Sequence, residues 1–109
     1  MTLQQFANAL DAGVGGVVER GKAELGDKTM YDAMEPAAAA FRAAVEKGAD
    51  AQSAARAAFE AAAAGRDATA ALVARKGRAS YLGDRSVGHV DPGAASTALM
   101  FEALAEALA

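Results

Sequence analysis

The sequence contains no cysteine and no tryptophan, and it has one histidine and two prolines in 109 residues. Without cysteine the chain forms no disulfide and offers no thiolate to a metal ion, which fits a reducing compartment. His89 has no second histidine or cysteine with which to share a metal, so no metal site is expected within the chain. Its open roles are a base, an anion contact or a structural hydrogen bond. The formal net charge of −3 argues against nucleic acid as a partner.

Long apolar runs are also missing. No stretch approaches the ~18 consecutive apolar residues that a membrane span requires, and the N-terminus has no basic region followed by an apolar run. We therefore expect no signal peptide, no membrane partner and a cytoplasmic protein. The length fits one domain, and residues 1–109 are expected to form it.

Alanine is abundant, and it supplies more than half of the 53% hydrophobic content. It is the best helix former but buries little surface, so alanine-lined helices must pack closely or need a partner to complete their core. No segment alternates as a strand does. The predicted fold class is all-α, an antiparallel bundle of about four helices.

Apolar residues at spacings of three and four, with capping residues at the ends, define four predicted helices. Thr2 can cap the first predicted helix, Gly48 ends the second, and Asp50 caps the third. The predicted ranges are about Thr2–Gly21, a start near Asp27 or Thr29 to Gly48, Asp50 to about Ala74, and Pro92 through Leu108. Large apolar residues expected to face the core include Met30, Met34, Phe41, Met100, Phe101, Leu104 and Leu108.

Glycine and proline leave alternatives open within these helices. Gly13, Gly15 and Gly16 either weaken the first helix, by ~1 kcal/mol each relative to alanine, or mark a close approach to its backbone. Pro36 either kinks the second helix or marks a later start. Gly65 interrupts the third helix near its middle.

Residues 75–91 differ from the rest of the chain, because they contain three glycines and show no helical period. A loop of ~15 residues or more inside a compact domain is uncommon and is usually functional or disordered. Arginine offers phosphate a rigid fork of donors, and glycine lets the backbone approach a ligand. The alternative is a solvated loop whose charges only keep the protein soluble. The charged residues of the segment are Arg75, Lys76, Arg78, Asp84, Arg85 and Asp91.

Two predicted helix starts have two interpretations each. The turn Gly26–Met30 precedes a helix N-terminus, where free N–H groups and the positive end of the helix dipole favour an anion. Capping by Asp27 or Thr29, with Lys28 in solvent, explains the same residues. The tripeptide Asp91–Gly93 is either a helix N-cap and first turn or a rigid corner that packs against a flat ligand such as a nucleotide base.

Two motifs punctuate the chain. The longer is ARKGRASYLGDRSVGHVDPGA at 74–94; the shorter is RGKAE at 20–24, followed by GDKTM at 26–30. Both motifs, and the interval between them, resemble the L domain of dihydroxyacetone kinase. The resemblance covers essentially the whole chain.

The resemblance implies a fold and an activity. In that family the L domain is a closed barrel of eight antiparallel helices that binds ADP or ATP through Mg²⁺ at one end. It passes a phosphoryl group to dihydroxyacetone, which a partner K subunit or domain holds covalently on a histidine. The resemblance also implies site residues: Arg78 as the catalytic residue at the phosphates or the transfer site, with Gly21, Met30, Asp91, Pro92 and Gly93 at the nucleotide.

The chain also departs from the family, whose members are roughly twice as long. Their first half carries an aspartate cluster for magnesium and a phosphate-cradling loop, so the magnesium ligands are expected outside this chain. Half of an eight-helix barrel leaves apolar flanks open, which favours association with the missing N-terminal half or with a second copy. Two functions follow: a kinase component that is inactive alone, or a non-catalytic helical interaction module.

Overall fold

The computed structural model describes residues 2–21, 24–73 and 87–108. Within these ranges the secondary structure is entirely helical, which confirms the predicted fold class. The helices are α1 (Leu3–Gly21), α2 (Tyr31–Glu46), α3 (Ala51–Ala68) and α4 (Pro92–Ala107), with a 3₁₀ turn at Thr69–Ala71. In the same ranges no helix has the length and apolar character that crossing a bilayer demands.

Helix α2 touches all three others. Contacts between Asp11 and Arg42, between Asp32 and Gly65, and between Thr69 and Asp91 show that consecutive helices run antiparallel. The tilted rings of Phe6 in α1 and Phe41 in α2 pack with their centroids 5.1 Å apart, and Arg42 Nε donates to Asp11 Oδ2 at 2.6 Å. One end of the bundle, which we call the Met30 end, therefore collects the last residues of α1 and α3 and the first residues of α2 and α4.

Alanine forms most of the core, as its abundance predicts. Phe41 is the only large apolar side chain among the described residues that is fully buried. The small side chains let the helices pack closely. Close contact between helix backbones then provides the van der Waals stabilisation that large leucine or isoleucine side chains provide in other cores. The alanines of the main buried cluster are Ala7, Ala33, Ala37, Ala54, Ala58, Ala62, Ala94 and Ala98.

Side-chain caps form at three predicted positions. Thr2 Oγ1 accepts from Gln5 N at 3.1 Å while Gln5 Oε1 accepts from Thr2 N at 2.8 Å, a reciprocal capping box. Asp50 accepts from Ser53 N at 2.8 Å, and Asp91 accepts from Ala94 N at 2.8 Å. These caps satisfy N–H groups that have no partner within their own helix.

One predicted helix end is close and one is wrong. Helix α2 begins at Tyr31, two residues after Thr29, whose hydroxyl accepts from Tyr31 N at 3.2 Å, whereas Asp27 accepts from Glu24 N in the preceding loop. Helix α3 ends at Ala68, about six residues before Ala74, because the chain tightens into the 3₁₀ turn and Leu72 is extended.

The structure decides between the alternatives that the glycines and Pro36 left open. Helix α1 is continuous through Gly13, Gly15 and Gly16, and no described residue comes within 4 Å of a Cβ built there, so no close approach occurs. Helix α2 includes Pro36, so the later start after Pro36 is wrong. Helix α3 continues through Gly65, where a Cβ would collide with the carbonyl oxygen of Asp32.

The predicted inward face of α4 is partly wrong. Its buried residues are Ala94, Thr97, Ala98 and Ala105, and Phe101 packs partly against them. Met100 is 70% exposed and Leu108 is also exposed, contrary to prediction. Helix α4 carries apolar residues on both faces, so periodicity alone does not select the buried one.

Candidate functional site

The loop Gly26–Met30 is held by the side chain of Asp32. One carboxylate oxygen accepts from Gly26 N at 2.7 Å, and the other accepts from Thr29 N at 3.0 Å. Gly26 and Lys28 both adopt positive φ angles, 93° and 62°. Because a residue with a Cβ seldom adopts this conformation, the loop has a fixed and unusual backbone path.

Lys28 is buried, so the alternative that places it in solvent is wrong. Its side chain reaches across the Met30 end, and Nζ donates to the carbonyl oxygen of Leu72 at 3.1 Å. Only 2% of the residue is exposed. Burial of a cation requires polar partners, and this contact ties the Gly26–Met30 loop to the end of the 3₁₀ turn.

Residues 69–72, which we call the Thr69–Leu72 turn, also hold the start of α4. The buried Thr69 hydroxyl donates to the carbonyl of Arg66 and accepts from Asp91 N at 2.9 Å. Gly88 N donates to the carbonyl of Ala70. The turn therefore fixes the entry to α4 from one side, while Lys28 contacts it from another.

Met30 meets Gly93 at this junction. A Cβ built on Gly93 would lie 3.2 Å from Met30 Cβ, 3.4 Å from Met30 N and 3.1 Å from Asp91 Oδ2. Met30 is 39% exposed, so its predicted place in the core is wrong. The N-termini of α2 and α4 thus adjoin, and their positive dipole ends act on the same space.

The structure brings together four of the six predicted site residues. Met30, Asp91, Pro92 and Gly93 form one corner, in which Asp91 is buried and Pro92 is exposed. Gly21 ends α1 at the same end of the bundle and is exposed, and no described residue lies within 4 Å of a Cβ built on it. Arg78 lies outside the described residues, as do most of residues 75–91, which we call the cationic segment.

The flanks of the cationic segment do lie within the described residues. Leu72 lies before the segment, and its carbonyl accepts from Lys28 Nζ. Gly88 lies near the end of the segment, and its N–H donates to the carbonyl of Ala70. Both flanks therefore sit at the Met30 end. His89 is exposed there.

Sequence reasoning missed Lys28, Asp32 and the double role of Thr69. Asp32 lies two positions into its helix, where a carboxylate can reach back to N–H groups of the preceding loop, and that position was a usable signal. Lys28 and Thr69 gave no such signal, because their partners lie 44 and 22 positions away.

A family model described as the DAK2 domain matches residues 1–106. The chain belongs to the DAK2 domain family. This DAK2 chain is 44% identical over 105 residues to the ADP-binding subunit DhaL of the PEP-dependent dihydroxyacetone kinase of Escherichia coli strain K12, covering 96% of this chain and 50% of that subunit. The resemblance stated from the motifs is thereby confirmed.

Larger enzymes contain similar segments. The DAK2 chain is 45% identical over 111 residues to the L-erythrulose 1-kinase of Mycolicibacterium smegmatis, covering 96% of this chain and 18% of that enzyme. It is 37% identical over 106 residues to the triokinase/FMN cyclase of Mus musculus, covering 97% of this chain and 18% of that enzyme. The DAK2 chain thus spans half or less of the length of these relatives.

Proposed function

We propose that the chain is a nucleotide-binding component of a dihydroxyacetone kinase. In this proposal it binds ADP or ATP at the Met30 end and acts with a K subunit that holds dihydroxyacetone. The observation that carries the proposal is the meeting of the α2 and α4 N-termini at Met30 and Gly93. Two helix N-termini favour the negative charge of a diphosphate, and the E. coli relative is named an ADP-binding subunit.

Each site residue has a proposed role. The backbone at Met30 and Gly93 lies close to the nucleotide, and Gly93 N–H has no acceptor among the described residues. Asp91 and Pro92 form the rigid wall beside the base, and Gly21 borders the same end. Arg78, outside the described residues, is proposed to neutralise charge on the moving phosphoryl group, because phosphoryl transfer depends on positioning and charge stabilisation.

Magnesium would neutralise charge on the phosphates in such a site. The described residues bring together no three histidine, cysteine, aspartate or glutamate side chains that could hold a metal ion. The two carboxylates at the corner, Asp32 and Asp91, are occupied by backbone N–H groups. We therefore propose that the magnesium ligands come from outside this chain, either from the other half of a DAK2 domain or from a second copy.

A second candidate function is a non-catalytic helical interaction module. The exposed apolar residues Leu99 and Met100 on the outer face of α4 favour it, because such a patch commonly binds another protein surface. We also propose a cytoplasmic location, since a cysteine-free chain fits a reducing compartment.

Calorimetric titration with ADP and Mg²⁺ separates the two functions. The chain is titrated alone and after mixing with the complementary half of the E. coli DhaL subunit. The kinase-component proposal expects binding heat in the mixture and little or none from the chain alone. A mixture that assembles, as sedimentation would show, yet gives no heat would reject nucleotide binding and leave the interaction module.

Gly93→Ala provides the site-specific arm of the same experiment. The added methyl group would press on Met30 and Asp91, so we expect ADP affinity to fall about tenfold. Gly13→Ala is the matched control, because it makes the same change in a helix with open space around it. Equal affinities for the two variants would contradict the placement of the nucleotide at this corner.

A further inference from the structure

Lys28 combines two features that are unfavourable for a lysine. It is almost fully buried, and its backbone has a φ of 62°, in the left-handed region that disfavours residues with a Cβ. An asparagine or glycine would adopt that backbone more readily, and a solvated lysine would avoid desolvation. Neither local conformation nor solubility therefore accounts for lysine at this position.

Its contact with the Leu72 carbonyl supplies a reason. Leu72 is the last residue of the Thr69–Leu72 turn, and its own N–H donates to the carbonyl of Thr69 at 3.1 Å. The same turn accepts Asp91 N through the Thr69 hydroxyl. Lys28 therefore holds the one turn that also fixes the start of α4.

The loop that contains Lys28 also contacts the start of α4 directly, at Met30 and Gly93. From Lys28 the chain passes through Thr29 to Met30, which lies against Gly93. Two routes thus connect the loop to α4: a direct packing contact at Met30 and a hydrogen-bonded route through Lys28, Leu72, Thr69 and Asp91. A two-route connection restrains both the separation and the relative orientation of the two helix N-termini.

We propose that Lys28 is a positioning residue for the nucleotide corner. By holding the Leu72 carbonyl, it keeps the α2 and α4 N-termini aligned on one diphosphate. The role of the aligned corner rests on the proposed nucleotide-binding function, whereas the alignment itself is a property of the chain alone. Lys28 is positioned to act through Met30 and Gly93 and is too buried to serve as a solvent-facing phosphate contact.

Three variants test the alignment. Lys28→Asn tolerates the left-handed backbone but is too short to reach Leu72, so it removes the hydrogen bond without adding backbone strain. Lys28→Arg retains a long cationic donor and is the rescue variant. Lys47→Asn, at the exposed C-cap of α2, is the matched control.

The first readout is the amide and methionine-methyl NMR spectrum of the chain alone. We expect Lys28→Asn to shift the Gly93 amide and the Met30 methyl, leaving the Met100 methyl in place, and Lys28→Arg to return both to their wild-type positions. Spectra are recorded under conditions in which each variant is folded. If Lys28→Asn does not fold, Lys28→Met, which keeps the length of the side chain but has no donor, takes its place. Unshifted Gly93 and Met30 signals in the folded variant would overturn the proposal.

The second readout is ADP–Mg²⁺ affinity in the assembled protein. We expect it to fall about tenfold in Lys28→Asn. The affinities of Lys28→Arg and Lys47→Asn should stay within about twofold of wild type. A lower melting temperature with unchanged affinity would mean that Lys28 is only structural and would overturn the positioning role. If wild-type protein binds no ADP, the proposed function fails, while the NMR result still decides whether Lys28 aligns the two N-termini.

Discussion

At the scale of single residues, the Met30 end depends on a few buried polar side chains, each of which serves two segments. Asp32 binds two N–H groups of the preceding loop, and Thr69 both ends α3 and receives Asp91 N. No buried side-chain polar atom lacks a partner in the part of the chain that the structure describes. A junction built from satisfied polar groups has little freedom to rearrange, because any shift leaves a buried group unpaired.

Replacing Thr69 with valine tests this junction at one atom. The side chains have similar shapes, but valine leaves the buried Asp91 N–H without its acceptor. We expect the free energy of unfolding to fall by about 1–3 kcal/mol, measured by chemical denaturation. Thr69→Ser keeps the hydroxyl, so its free energy of unfolding should fall clearly less than that of Thr69→Val. Valine and serine variants of equal stability would show that the hydroxyl does not hold α4.

At the scale of elements, the helix ends that were predictable from the sequence are those determined by local contacts. Asp50, Asp91 and Thr2 each bind an N–H group three positions ahead. Gly48 has a φ of 84° and follows the last turn of α2, where Ala49 N donates to the Ala44 carbonyl, the hydrogen bond of a glycine-terminated helix. Capping contacts of this kind can be predicted from a few adjacent residues in the sequence.

The start of α2 and the end of α3 were not predictable in this way. The end of α3 depends on partners elsewhere in the fold, because Thr69 binds Asp91 N, 22 positions away. The start of α2 depends on Asp32, whose partners Gly26 and Thr29 are close in sequence but lie in a loop with an irregular backbone. The candidate site follows the same division. The motifs placed Met30 and Gly93 on two helix starts, and the resemblance implied that both lie at the nucleotide. The packing contact between them is visible only in the tertiary structure.

Helices α2 and α3 have a close approach that glycine permits. Pro36 has no N–H to donate to the Asp32 carbonyl, and Gly65 packs against that same oxygen. We expect Gly65→Ala to lower the free energy of unfolding by about 3 kcal/mol, since a methyl group would collide with backbone.

Gly13→Ala is the control for the same substitution, and it should have the opposite sign. Open space surrounds Gly13, so alanine should stabilise α1 by ~1 kcal/mol through helix propensity alone. Urea denaturation of both variants gives the comparison. Destabilisation of similar size in both would indicate a general effect of helix substitution and contradict the close approach at Gly65.

The Asp50 cap predicts a dependence on pH. The hydrogen bond from Ser53 N–H lowers the pKa of the Asp50 carboxyl below its ordinary value of 3.8. A lowered folded-state pKa adds stability above the ordinary value, and that stability is lost as the pH falls through the folded-state pKa. The difference in thermal stability between wild type and Asp50→Ala should therefore become smaller as the pH falls below 3.8. Thermal denaturation at several pH values measures it. A difference that is constant with pH would rule out the charged cap.

At the scale of the whole molecule, the bundle leaves apolar surface uncovered between α1 and α4. A groove of about 260 Å³ is lined by Phe6, Leu10, Met100, Phe101 and Leu104. Leu99 is 62% exposed on the same helix, α4. We propose that this surface binds the other half of a DAK2 domain or a second copy, since the E. coli subunit has about as many residues again.

Sedimentation tests this association. We expect the wild-type chain to self-associate at tens of micromolar, and the double variant Leu99→Glu, Met100→Lys to sediment as a monomer because charge on the apolar face opposes burial. Leu25→Glu, at an exposed leucine in the loop before α2, should leave association unchanged. A compact wild-type monomer at that concentration would contradict the prediction.

The central claim is that the adjoining N-termini of α2 and α4 bind a nucleotide diphosphate, and an NMR titration of isotope-labelled chain tests it most directly. The chain is mixed with the complementary half of the E. coli subunit and titrated with ADP and Mg²⁺. The Gly93 amide and the Met30 amide should shift together and saturate, while the Gly48 amide at the opposite end of α2 stays fixed. Saturable shifts that leave Gly93 and Met30 in place would contradict the claim.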